Sequence, residues 1–103
     1  MRLTDKGIQA LRARDTRYEI VEDGGSGLAL RVSPRGIKTF CFLYWHDGGP
    51  RRLTLGVYRD PALEALGQLT DRNARGLPYL TLADARIRLA EARKLREGGI
   101  DPG

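Results

Sequence analysis

The chain has 103 residues, 41% of them hydrophobic and 30% charged, with a net charge of +5, which suits one small globular domain with a modest core. No apolar run approaches the ~20 residues needed to span a bilayer. Cys41 is the only cysteine, which excludes an internal disulfide and most cysteine-based metal frameworks.

The opening stretch, MRLTDKGIQALRAR, is amphipathic and lacks the apolar h-region of a secretory signal. With Cys41 alone, a reducing cytoplasm is the expected compartment. Thr4 suits an N-cap, and Leu3 and Ile8 stand at the two positions of a hydrophobic staple. Ile8 and Leu11 continue a short apolar stripe, so a helix is predicted from Asp5 to Arg12. Tyr18 to Val21 is a short β-prone run with Tyr18 and Ile20 on one face. Asp23 to Gly27 then breaks the chain as a tight turn. Its Gly24-Gly25-Ser26-Gly27 run has neither the lysine nor the spacing of a phosphate-binding loop.

From Leu28 the residues alternate: Leu28, Leu30 and Val32 point one way, and Ala29, Arg31 and Ser33 the other. This period of two marks a strand with one face on a core. Ser33-Pro34-Arg35-Gly36 is turn chemistry, with proline presetting φ and glycine tolerating the left-handed region. A second strand follows, with Phe40, Phe42 and Tyr44 on one face and Thr39, Cys41, Leu43 and Trp45 on the other. His46 to Pro50 is a second turn. Arg51 to Gly56 makes a third strand, with Leu53 and Leu55 inward and Arg52 and Thr54 outward. Sequential strands favour an antiparallel meander.

Pro61 to Leu69 carries Ala62, Leu63, Ala65, Leu66 and Leu69 in a pattern that fits a short helix, and Thr70 to Pro78 reads as an exposed loop. Thr81 is an N-cap with Asp84 three residues on, and Leu82, Ala85, Leu89 and Ala92 recur at helical spacing. Gly98-Gly99 stops that helix. Its stripe can cover the apolar sheet face. The fold expectation is a two-layer α+β domain: three or four antiparallel strands packed on a Thr81–Glu97 helix, with a short N-terminal helix and one open sheet face. Residues 1–99 form the domain, and 100–103 read as the start of a linker.

Enzyme constellations are nearly absent. His46, the only histidine, sits beside Asp47 and has the makings of a general base. No nucleophile is positioned with it, so a solvated turn residue is expected. Cys41 reads as a small sheet residue rather than a reactive thiol. There is no metal cluster and no cofactor motif.

The charge is more informative. Between Leu28 and Arg59 stand Arg31, Arg35, Lys38, Arg51, Arg52 and Arg59 against the single acid Asp47, while the rest of the chain is balanced. A concentrated positive field suits a polyanion partner, although a solvated basic face is the plainer alternative. Strands can enter the major groove of DNA. Arg31, Lys38, Arg52 and Thr54 are expected together on the open face. Arginine suits guanine, with Arg31 at mid-strand the best placed to read a base, while lysine and threonine suit phosphates. Ser33, Arg35, Thr39 and Arg51 complete the candidate DNA-contacting set. Leu43 and Trp45 on the same face compete with this view. They would suit a protein contact, or could tuck under the Arg59–Leu80 segment. An RNA or membrane-surface binder is a third reading, and the lack of a basic amphipathic helix with an aromatic face counts against the membrane version.

In order along the chain, LTDKGIQAL, DGGSGLALRVSPRGIKTFCFLYW, RRLTLGVY and LTLADARIRLAEARKLREGGIDP resemble the N-terminal arm-type DNA-binding domain of phage and genomic-island integrases, which are tyrosine recombinases of the P4 integrase type. The resemblance covers nearly the whole chain. Residues 59–80 stand as an insertion against the family pattern, and Leu43 and Trp45 replace residues that are usually basic. The resemblance implies a sheet seated in the major groove of arm-type repeats flanking an attachment site. It also implies other integrase protomers as partners, no membrane, and a catalytic machinery of arginines, histidine and tyrosine in later domains, so that this chain alone does not cut DNA. The rival function is a protein-interaction module for integrase assembly, using Leu43, Trp45 and the 59–80 segment.

Overall fold

A computed structural model describes residues 2–67 and 76–103. In chain order the elements are α1 (Asp5–Ala10), β1 (Tyr18–Val21), β2 (Leu28–Val32), β3 (Lys38–His46), β4 (Gly49–Tyr58), α2 (Pro61–Ala65), β5 (Tyr79–Leu80) and α3 (Leu82–Glu97). The strands form one sheet in the order β1-β2-β3-β4-β5. The first four are antiparallel, and β5 runs parallel to β4. The α+β expectation holds, with a fifth, two-residue strand added at the edge.

Local chemistry accounts for the elements. Thr4 Oγ1 accepts from the Gly7 amide at 3.0 Å, and Leu3 and Ile8 are both buried, as a capped and stapled helix requires. The helix ends at Ala10 rather than Arg12, because Leu11 turns extended and its amide bonds back to Ile8. The β2–β3 connection is a turn closed by Gly36 N to Ser33 O at 2.9 Å, with Gly36 at φ 85°. At the β3–β4 tip Asp47 (φ 51°) and Gly48 (φ 73°) occupy the left-handed region. That Asp-Gly pair suits a two-residue hairpin, which lets β4 begin at Gly49 rather than Arg51. On α3, Thr81 Oγ1 accepts from Asp84 N at 3.1 Å while Asp84 Oδ2 accepts from Thr81 N at 3.3 Å, a reciprocal capping box.

One core lies on one side of the sheet. Leu28, Leu30, Val32, Phe40, Phe42 and Tyr44 pack with Leu3 and Ile8 and with Leu82, Ala85, Leu89 and Ala92 of α3. The register shifts between Phe40 and Cys41, which pair with Gly56 and Thr54. Leu55 is therefore the extra residue of a bulge, and it joins the core. Beyond the bulge β5 presses close: a Cβ on Gly56 would come within 2.6 Å of Leu80 and 2.7 Å of the Pro78 carbonyl.

An ion pair with a buried carboxylate and a half-buried guanidinium fastens the layers. Arg86 on α3 donates to both oxygens of Glu22, at 2.9 and 2.7 Å, and also to the Leu3 carbonyl at 3.2 Å. Glu22 accepts in addition from Leu3 N at 2.9 Å and Ser26 Oγ at 3.1 Å. The hydrogen bond from Arg86 is the main cause that lowers the Glu22 carboxyl to about 2, against the opposing effect of burial.

The predicted helix after Pro61 is realised only as far as Ala65. Leu69 and residues 70–75 of the expected loop lie outside the described residues, as does the side chain of Ala62.

Candidate nucleic-acid interface

Pairing register sorts the strand residues between the two faces. Glu19, Arg31 and Thr39 are cross-strand neighbours in one row. Val21, Ala29, Cys41 and Thr54 form the next row, followed by Leu43 with Arg52 and Trp45 with Pro50. None of these residues belongs to the core cluster. The face they form brings Arg31, Thr39, Arg52 and Thr54 together as the alternation of the sequence implies.

Lys38 is a correction. It shares the parity of Phe40 and Phe42, so it points to the covered side and not to the open face. Only 8% of it is exposed, and its Nζ donates to the Ile8 carbonyl at 2.7 Å. There it serves a carbonyl near the C-terminal end of α1, where a cation is favoured. Burial pushes the lysine pKa down, the Arg12 charge adds to that, and Asp60 opposes it.

The remaining candidates lie around the face. Ser33 Oγ accepts from the Ile37 amide at 3.1 Å and supports the β2–β3 turn, on which Arg35 is exposed. The α1–β1 loop borders the same end: Ala13 stands 4.0 Å from where a Gly36 Cβ would be, and the Arg14 guanidinium lies 4.0 Å over the Tyr18 ring. Arg51 pairs with Tyr44, which gives it the parity of the covered side, but it stands exposed near the hairpin end. Arg59 is engaged by Glu64, with Nε to Oε2 at 2.8 Å.

Trp45 is 63% exposed and is not tucked beneath the described part of the 59–80 segment. A shallow groove beside it is lined by Leu43, Tyr44, Pro50, Arg51 and Arg52. Nearby, Tyr44 donates its hydroxyl to Asp101, which ties residues 100–103 to the hairpin. His46 Nε2 lies 3.5 Å from Asp47 Oδ2 at the tip. Among the described residues no cluster of three or more His, Cys, Asp or Glu could hold a metal, and no helix is long and apolar enough to cross a membrane.

Glu19 is the open-face residue that the charge tally missed. Its Oε1 accepts from Arg52 Nη2 at 2.9 Å. The alternation of Tyr18 and Ile20 already placed it opposite the core, and that was the available signal. Arg31, Arg52 and Glu19 surround Cys41: burial raises the thiol pKa most, the two arginines lower it and Glu19 raises it. Burial thus favours the neutral thiol at Cys41.

Comparison with known sequences decides the family. The family profile described as "Arm DNA-binding domain" matches residues 3–103. This chain belongs to that family. Among curated relatives of the arm domain, the integrase of Enterobacteria phage P4 is 35% identical over 103 residues, 99% of this chain and 19% of that protein. Prophage integrase IntZ of Escherichia coli K12 is 32% identical over 100 residues, 97% of this chain and 20% of that protein. The putative protein IntB of the same strain is 39% identical over 74 residues, 72% of this chain and 14% of that protein. The arm domain thus spans about a fifth or less of the length of these relatives.

Proposed function

We propose that this arm domain binds double-stranded DNA by seating its open sheet face in the major groove of arm-type repeats that flank an attachment site. It does so as the N-terminal module of a site-specific integrase of the tyrosine recombinase class. The observation that carries the reading is the joint presence of Arg31 and Arg52 on the one sheet face that the core leaves out. A strand pair fits the major groove, and guanidinium groups match both phosphates and the guanine edge. Thr54 lies in the row between those of the two arginines. Thr39 is buried beside Arg31 and supports it rather than reaching DNA, and Ser33 and Arg35 at one end and Arg51 at the other lie where flanking phosphates would run. Lys38 is left out, since its ammonium faces α1. The chemistry of strand exchange belongs to other parts of the parent protein, other protomers are its partners, and the cytoplasm is where it meets DNA.

The exposed Trp45 beside Leu43 and Pro50 favours a second reading, a contact between integrase protomers. A titration of the domain against attachment-site DNA of its own element and against scrambled duplex of equal length tests both. Preferential binding of the site supports the first reading. Equal or no binding to the two duplexes, together with self-association that Trp45→Ala abolishes in sedimentation, supports the second.

A further inference from the structure

One ion pair spans the open face. Arg52 Nη2 donates to Glu19 Oε1 at 2.9 Å, joining β4 to β1 although β2 and β3 stand between them. The intervening side chains are small. Ala29 and Cys41 are register partners, and neither has any exposed surface, though both lie on the side away from the core cluster. The charges of Arg31, Arg52 and Glu19 all act on the Cys41 thiol. Small side chains at the centre of the face thus make a floor across which a long arginine can lie.

The two ends of the pair differ in burial. The Glu19 side chain is 22% exposed and the Arg52 side chain 40%. The second Glu19 oxygen, Oε2, is buried without a hydrogen-bond partner. An unsatisfied buried acceptor costs stability, and a partly exposed ion pair returns little of it. Stability alone therefore gives no reason for a carboxylate on the edge strand of a basic face. Orientation does. A guanidinium has five donors in one rigid plane. Glu19 occupies one of them and leaves the others for an incoming group. A fixed fork matches guanine O6 and N7 in the major groove, and a side chain ordered in advance loses less freedom on binding.

We infer that Arg52, and not Arg31 as its mid-strand place suggested, is the guanine-reading side chain of this face, because Glu19 holds Arg52 as its positioning residue. This rests on the DNA-binding reading above. The Glu19 carboxylate also repels phosphates, so it weakens binding modes that use the backbone alone. Discrimination rises from both effects.

The test uses the 103-residue chain and a pool of duplexes with a randomised core, from which the wild type selects its preferred site. The selected duplex and a scrambled one are then titrated with variants whose melting shows them folded. Arg52→Lys is expected to bind scrambled duplex within about 2-fold of wild type and to lose about 10-fold on the selected site, with the guanine preference at one position gone. Glu19→Gln and Glu19→Ala are expected to weaken the selected site and to strengthen scrambled binding, so that the ratio falls about 10-fold. In an Arg52→Lys background, Glu19→Ala is expected to leave the ratio unchanged. Two results overturn the assignment: a guanine preference that survives Arg52→Lys, or a Glu19→Ala variant that tightens both duplexes equally. A wild-type chain that retains no duplex overturns the DNA reading itself, and this assignment with it.

Discussion

Lys38 shows what the position of a single residue decides. Its charge counts toward the basic segment, but a strand distributes charge by parity, and Lys38 stands two residues from Phe40. The alternation of the segment already carried this information; a count of charges over a window discards it. Lys38→Ala is expected to lower stability by about 1–3 kcal/mol, since it removes a charged donor from the Ile8 carbonyl. The same variant is expected to leave DNA affinity within about 0.5 kcal/mol, as a change away from the contact surface does. A melt and a DNA titration of one variant check both halves, and a lost affinity with an unchanged melt would return Lys38 to the interface. Glu19 is the converse case. A lone acid among bases looks like dilution of the field until the structure shows it hydrogen-bonded to Arg52.

Among the elements, most of the meander and α3 were legible because each carries its own local signal. Alternation marks β2 and β3, Pro34 and Gly36 mark their turn, and Thr81 with Asp84 marks the start of α3. β5 was not legible, since two residues hold no period and its pairing partner is distant in sequence. The bulge at Leu55 was equally hidden, because it depends on which β4 residue meets Cys41. The register has an energetic consequence. Phe42, buried and stacked on Tyr44 with ring centroids 5.0 Å apart, is expected to cost about 3–5 kcal/mol on change to alanine. Thr54→Ala on the opposite face is expected to cost under about 1 kcal/mol, and thermal melts that reverse this order would exchange the two faces. The tie between α3 and the β1 end adds a pH dependence. The Glu22 carboxyl sits at about 2 against an ordinary 4.5, so the folded state binds its proton less readily than the unfolded chain. Its contribution is complete above pH 4.5 and is lost as pH falls through about 2. The shift corresponds to about 3 kcal/mol. Glu22→Gln is expected to melt lower at neutral pH and to show a shallower acid decline, and parallel acid titrations of the two proteins measure it. Arg86→Ala, which strands the buried carboxylate, is expected to cost about 3–5 kcal/mol at neutral pH.

At the scale of the whole molecule, the net charge of +5 matters less than where folding leaves its carriers. Of the six bases between Leu28 and Arg59, Lys38 is turned to α1 and Arg59 is engaged by Glu64. Arg31 and Arg52 lie on the open face, Arg35 on its turn and Arg51 near the hairpin end. Arg52 gives one donor to Glu19 and has further donors in its guanidinium. With Arg31, Arg35 and Arg51 it is what this face presents to a polyanion, and a duplex laid along the face would release counterions in proportion to the phosphates these four meet. The logarithm of the association constant is then expected to fall linearly with the logarithm of salt concentration, by about 0.9 for each phosphate contact. Replacing Arg35 or Arg51 by alanine is expected to reduce that slope by about 1 and to weaken selected and scrambled duplexes alike. Arg59→Ala and Lys38→Ala are expected to leave it unchanged. Trp45→Ala separates the charge effect from the apolar one: an exposed side chain outside the phosphate track is expected to leave the slope intact, while any self-association seen by sedimentation falls. Affinity that stays flat across the salt series, or a slope that responds to Trp45 and not to the arginines, would mean that the basic face does not meet DNA and that the apolar end of the hairpin is the working surface.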